Sequence, residues 1–194
     1  GIGVTLQVAA MALVLGIILG VLVAVVRTSH DQQRPGKHNP VLGVLNVICQ
    51  IYTTVIRGTP IMVQLLIMYF VIFASTRNQI GVAMLTFGVN SGAYVSEIIR
   101  GGIMSIDKGQ MEAGRSLGLP YATTMRFVVI PQAIKNILPA LGNELITLLK
   151  DTSIVTVIGL RDLTKAAQLV QGKTYQAFMP YVGIAVLYLA MVMI

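Results

Sequence analysis

The first 26 residues carry no charged side chain, and Val8 to Val26 is a dense apolar run interrupted only by Gly16 and Gly20. A helix needs about 20 predominantly apolar residues to cross the hydrocarbon of a bilayer, and this stretch meets that length. The rest of the chain repeats the pattern. Charged residues make up 11% of the sequence, against about a quarter in soluble domains. The mean hydropathy is +0.80. The exterior of such a chain faces lipid, which predicts an all-α integral membrane protein. Gly16 and Gly20, four apart on one helix, let a second helix approach closely.

Five spans are expected, at about 4–27, 58–76, 79–102, 133–153 and 175–194, in a single membrane domain covering 1–194. The sequence opens and stops inside apolar runs, so natural segments are expected beyond both ends. Residues 28–40 form a polar loop with Arg34 and Lys37. His30 and His38 in this loop have no carboxylate or cysteine at ligand spacing, so no metal site is expected. Residues 41–57 place Val41, Val44, Leu45, Ile48, Ile51 and Val55 on one helical stripe, with Asn46, Gln50, Thr53 and Arg57 on the other. This amphipathic pattern reads as an interfacial lead-in. A full crossing here would give six spans and reverse the N-terminus. In Arg57-Gly58-Thr59-Pro60, Thr59 suits an N-cap and Pro60 a first helical turn. The fourth span, with Pro139 and Gly142, is expected to be the least regular. With five spans and an external N-terminus, the inner side receives nine basic residues and the outer side five, as the positive-inside rule favours.

The single cysteine, Cys49, allows no intramolecular disulfide and reads as a packing residue. The +7 charge fits basic loops that set topology and is not interleaved with aromatics as in nucleic-acid binders. The longest polar stretch, about 104–130, predicts two short helices. Asp107 caps the first, with Gln110 as its capping-box partner. Gly118 supplies a left-handed C-terminal residue and Pro120 starts the second helix, which is expected to run from Tyr121 to Val129 and end at Pro131. Ala113 and Gly114 offer a surface with almost no side chain.

Glu112-Ala113-Gly114, then Gly118, then Val128-Val129-Ile130-Pro131 resembles the EAA loop of ATP-binding cassette importer permeases. Gly114 stands for the second alanine of that pattern, Val128 for its Ile and Ile130 for its Leu. Arg57-Gly58-Thr59-Pro60, Tyr94-Val95-Ser96-Glu97-Ile98-Ile99-Arg100-Gly101-Gly102, Gly109-Gln110, Pro131-Gln132-Ala133 and Lys150-Asp151-Thr152-Ser153 look like the polar amino acid subgroup, and the similarity covers nearly the whole chain. The resemblance implies an amino acid importer of a bacterial plasma (inner) membrane. The loop, through Glu112, Ala113, Gly114, Gly118, Pro120 and Pro131, would dock a separate ATPase that uses ATP and Mg. A second permease subunit (a copy or a paralogue) and an extracytoplasmic amino acid binding protein would complete it. The chain has no Gly-x-x-x-x-Gly-Lys-Ser/Thr phosphate loop, so it is not expected to be an enzyme or to bind a cofactor.

Charges at membrane depth are costly and tend to face cavities. Glu144, Lys150, Asp151, Thr152 and Ser153 are the candidates for a substrate pathway, since an amino acid zwitterion needs partners of both signs. A self-satisfied Lys150–Asp151 pair is the alternative. Glu97 and Arg100, three apart, read as a structural ion pair, and Arg57 as a snorkelling side chain or a packing element beside Gly58, Thr59 and Pro60. An intramembrane serine protease needs a histidine within the spans, and both histidines lie in the 28–40 loop. A channel or ion-coupled carrier would also use Glu144 and Lys150, but it needs no ATPase dock.

Overall fold

The computed structural model describes residues 1–33 and 39–193. Arg34, Lys37 and His38 lie outside the described residues. Every element among the described residues is helical.

Helix α1 (Ile2–Asp31) and helix α4 (Gln79–Met104) form the central pair. Small residues on both helices interlock. A Cβ at Gly16 would lie 2.8 Å from the Ser91 Cβ, and one at Gly20 would lie 2.7 Å from the Val95 Cβ. In return, a Cβ at Gly88 would sit 2.9 Å from the Leu15 Cβ, and one at Gly92 2.9 Å from the Leu19 Cβ. No side chain fits at these positions, so the backbones touch along two four-residue glycine spacings. The close approach expected from Gly16 and Gly20 is present. The matched positions rise together along both helices, so α1 and α4 run parallel.

Helix α2 (Pro40–Gly58) begins with Asn39 accepting from the Val41 amide at 3.1 Å and Pro40 at the first position. It is long and apolar enough to cross a membrane. Its polar stripe turns inward, burying Asn46 and Thr53, while Val41, Val44, Ile48, Ile51 and Val55 point outward. That is the arrangement of a helix bathed in lipid. The turn at 58–60 differs by one position from the expected register. Thr59 closes α2, its hydroxyl donating to the Val55 carbonyl at 2.8 Å, and Pro60 is the cap before α3 (Ile61–Ile67). The reason is the missing N–H of Pro60, which leaves the Ile56 carbonyl without its helical donor. The Gln64 side-chain amide donates to that carbonyl at 2.7 Å. A π-type turn over Met68–Ile72 extends α3. Its contacts with α4, Asn90 to Gln64 at 3.0 Å and Gln79 to Tyr69 at 3.2 Å, descend in opposite senses. The helix therefore runs antiparallel to α4.

Beyond α4 come α5 (Lys108–Ser116), α6 (Tyr121–Thr124), α7 (Ile130–Asp151), a 3-10 helix over Thr152–Ile158, α8 (Leu163–Thr174) and α9 (Phe178–Met193). Two expectations need correction. The helix that starts at Tyr121 does not end at Pro131. A π-type turn over Met125–Val129 carries it directly into α7, and the wide turn accommodates the proline that would otherwise break the ladder. Helix α7 then stays helical through Pro139 and Gly142, so the irregularity falls after Asp151 instead. Gly159, at φ +81, ends the 3-10 segment in a conformation that favours glycine. The fully buried Asp162 caps α8, accepting from the amides of Thr164 and Lys165 at 3.1 and 2.8 Å and from the Thr156 hydroxyl at 2.6 Å. Contacts of α7 with α4, Asn136 to Ser105 at 2.9 Å and Ser91 to Glu144 at 2.8 Å, are antiparallel. The apolar core of Val8, Ala12, Leu65, Ala83, Phe87 and Leu148 lies toward the Gln79 end of the bundle.

Candidate functional site

Polar residues concentrate at the opposite end, where α1 and α4 finish and α5 and α6 project. Three arginines from three helices converge on Glu97. Arg27 donates directly to its carboxylate and to the Thr53 hydroxyl at 3.4 Å. The Arg100 guanidinium lies 3.7 Å from Glu97, one helical turn away, and its Nε donates to Asp31 at 2.9 Å. Arg57 lies 3.9 Å from Glu97 with its guanidinium 5.4 Å from the centre of the Tyr94 ring. The Glu97–Arg100 pair expected from the sequence is therefore part of a knot tying α1, α2 and α4. Arg57 does not simply snorkel. Sequence reasoning missed Arg27 and Asp31 as members. The available signal was that Arg27 ends the first span and Glu97 stands near the end of the third, opposite charges at one depth.

The projecting knob is built from local rules. Asp107 accepts from the Gly109 amide and caps α5. Gln110 does not complete a capping box, because its side chain accepts from the Gln132 amide at 3.3 Å. That contact joins the knob to the start of α7. The α5 terminus is a Schellman motif, with Leu119 N–H donating to Gly114 at 3.0 Å and Gly118 N–H to Arg115 at 3.0 Å. Gly118 has φ +79, as its predicted role requires. Pro120 caps α6. Gly114 does not present an open surface. It is buried against Thr124, and a Cβ there would lie 2.7 Å from the Thr124 hydroxyl oxygen. Ala113 and Glu112 remain exposed, as does Leu117 at 80%. A cleft of about 950 Å³ separates the knob from the end of α1, lined by Asp31, Gln32, Met104, Glu112, Arg115 and Tyr121 among others. Partial burial pushes the Tyr121 phenol up.

The residues expected around the fourth span are not all brought together. Glu144 turns toward α4 and accepts from Ser91 at 2.8 Å. Thr152 is buried and donates back to the Leu149 carbonyl at 2.6 Å. Lys150 is exposed, Asp151 and Ser153 half-buried. The ion pairs among the described residues include neither Lys150 nor Asp151. Lys135, Asn136, Asn143, Thr147 and Lys150 are exposed along α7, a polar surface that lipid would not tolerate.

Residues 16–194 match the family described as binding-protein-dependent transport system inner membrane components. The chain belongs to this family. It is thus the membrane-spanning component of such a system, not its ATPase. It is 39% identical to a putative glutamine transport system permease protein of Rickettsia bellii, covering 98% of this chain and 84% of that protein. It is 40% identical to the arginine transport system permease protein of Bacillus subtilis, covering 100% of this chain and 85% of that one. A crystal structure of an amino acid ABC transporter with histidines superposes with a TM-score of 0.88 at 42% identity, covering 100% of this chain and 86% of that chain. The MetNI methionine ABC transporter, facing inward, shares the fold at a TM-score of 0.75 and 20% identity, covering 98% of this chain and 88% of that one. In this chain, α5 and α6 lie in the stretch that the sequence likened to the EAA loop.

Proposed function

We propose that the chain is the permease subunit of an ATP-driven amino acid importer, and that α5 and α6 couple it to a separate ATPase. One observation carries the coupling reading. Helix α6 runs without a break, through the π-type turn, into α7, which bears the exposed polar surface and Glu144, and α5 is fastened to it by Gly114 against Thr124 and by the Gln132–Gln110 hydrogen bond. A push on Glu112 and Ala113 would reach that helix through the packing of α5 on α6. The amino acid class rests on relatives named as a putative glutamine and an arginine transport system permease protein. ATP and Mg would act on the ATPase, a second permease copy or paralogue would face the polar side of α7, and an external binding protein would deliver substrate. Lys150, Asp151, Thr152 and Ser153 stay with Glu144 as pathway candidates.

Five crossings with the N-terminus outside fit the chain directions. Helices α1 and α4 run one way, and α3 and α7 the other. Asp31 and Arg57 both meet charges of α4 within one turn of each other. The segment holding α2 therefore leaves and returns on one side, where a six-crossing chain would end α2 on the other. Labelling single cysteines at positions 33 and 58 from each side of the membrane tests this, with both expected on the cytoplasmic side.

The function is tested in proteoliposomes holding the complete transporter, by uptake of labelled arginine, histidine, glutamine, glutamate and aspartate with and without ATP. ATP-dependent uptake of one group, lost in Glu112→Lys, is the expected result. Uptake that ignores ATP would replace the importer with a channel or ion-coupled carrier. Glu144→Gln is expected to impair uptake more than assembly, and unchanged uptake would remove Glu144 from the pathway.

A further inference from the structure

Beside the knot, between α1, α2 and α4, is an open cleft of about 500 Å³. Arg27, Arg57, Gln50, Thr53, Thr54 and Glu97 line it. Its charges do not balance. Glu97 is engaged directly by Arg27, and Asp31 by Arg100. Arg57 is left at 3.9 Å from a carboxylate already paired, with its side chain 45% exposed. Three guanidiniums thus share two carboxylates, and the surplus is one positive charge, carried by the most exposed arginine of the set.

The cleft also adjoins a surface built for acyl chains. Val47 and Ile51 border its polar stripe on α2 and are 52% and 59% exposed, and Val44, Ile48 and Val55 continue that apolar face outward. A ligand here meets a surplus guanidinium, hydroxyl and amide donors at Thr54 and Gln50, and an apolar wall on the same helix. A free anion would satisfy the charge and leave the apolar wall unused. A lipid headgroup uses both.

We infer that this cleft binds the phosphate of an anionic phospholipid, held by Arg57 with Thr54 and Gln50, its acyl chains lying along the apolar face of α2. Basic pockets between membrane helices recognise anionic headgroups in this way. One phosphodiester carries the single negative charge that the knot lacks. A bound lipid would thereby complete the charge balance that fixes α2 against α1 and α4. This inference does not depend on which substrate is moved or on how the ATPase docks.

The test is native mass spectrometry of the intact transporter, titrated with phosphatidylglycerol or with phosphatidylethanolamine of identical acyl chains. The wild type is expected to retain phosphatidylglycerol in preference. Arg57→Gln is expected to lower that preference by about fivefold, the effect of one basic residue near an anionic headgroup, with Arg57→Lys restoring most of it. Thr54→Leu, at an exposed position that takes no part in the knot, is a second variant expected to obstruct the cleft and reduce retention while leaving the fold intact. Equal retention of the two lipids, or a preference unchanged in both Arg57→Gln and Thr54→Leu, would overturn the assignment. So would displacement of phosphatidylglycerol by millimolar inorganic phosphate, which would identify a soluble anion as the occupant.

Discussion

Replacing Gly114 by alanine restores the residue that the EAA pattern carries, yet the structure predicts a less stable knob. Two effects oppose each other. Alanine is the better helix former by about 0.8–1.0 kcal/mol. Its Cβ would meet Thr124, whose hydroxyl oxygen would be 2.7 Å away and whose Cβ 3.2 Å away. Turning Thr124 about its first side-chain torsion gives little relief, because both its γ atoms face Gly114 and the residue is wholly buried. Overpacking of this kind costs about 1–3 kcal/mol, so the net effect is a loss of about 1 kcal/mol. Amide hydrogen exchange at Leu119, whose N–H bonds to the Gly114 carbonyl at 3.0 Å, reads the local opening directly. Exchange there should be roughly fivefold faster in Gly114→Ala, that loss expressed as a ratio. Thr124→Ser leaves one γ atom, which can take the remaining staggered position, so the double variant should regain protection. If Gly114→Ala alone slowed exchange by the amount helix propensity gives, Thr124 would not be a barrier and the packing argument would fail.

Glu97→Gln should lower the thermal stability of the purified chain by about 1–3 kcal/mol, because three arginines lose a partly buried counter-charge. A midpoint unchanged in a detergent melt would mean that the knot contributes nothing to stability. Gly20→Leu should disrupt the α1–α4 seam far more than Gly3→Leu, since a Cβ at Gly3 meets nothing within 4 Å. Folding yield in membranes measures this, and equal yields would contradict the seam. Asp162→Ala should cost about 1–2 kcal/mol through the lost cap of α8, read as faster exchange at the Thr164 and Lys165 amides.

The sequence makes some of this legible and hides the rest for physical reasons. Lipid-facing segments follow from apolar runs because their outer surfaces have one solvent. The turn at Gly118 follows from local chemistry, since a left-handed residue and a following proline leave few alternatives. Gly16 and Gly20 announce a close approach but cannot name the partner, which is set by Gly88 and Gly92 on a helix 72 residues away. The knot was only half visible. Glu97 and Arg100 are neighbours on one helix, whereas Arg27, Asp31 and Arg57 reach them only through tertiary packing. The pathway reading grouped Lys150 to Ser153 with Glu144 by proximity in sequence. The change to a 3-10 helix at Thr152 turns that hydroxyl back onto its own backbone, and no periodicity argument anticipates it.

Prolines at 60 and 131 show how one chemical problem receives two solutions. Each removes a donor from a helix at the same end of the bundle. At Pro60 the orphaned Ile56 carbonyl is satisfied by the Gln64 side chain, whose oxygen in turn accepts from Asn90 of α4. The break between α2 and α3, where Thr59 and Pro60 are extended, is thereby fastened to the central helix. At Pro131 the wide turn over Met125–Val129 absorbs the defect within the backbone, and the helix continues as α7. The first solution ends one helix and starts the next, and the second keeps the helix unbroken. The unbroken helix from α6 into α7 is what the proposed coupling would use, while the glycine seam holds α1 to α4 and the arginine knot holds α2 to both.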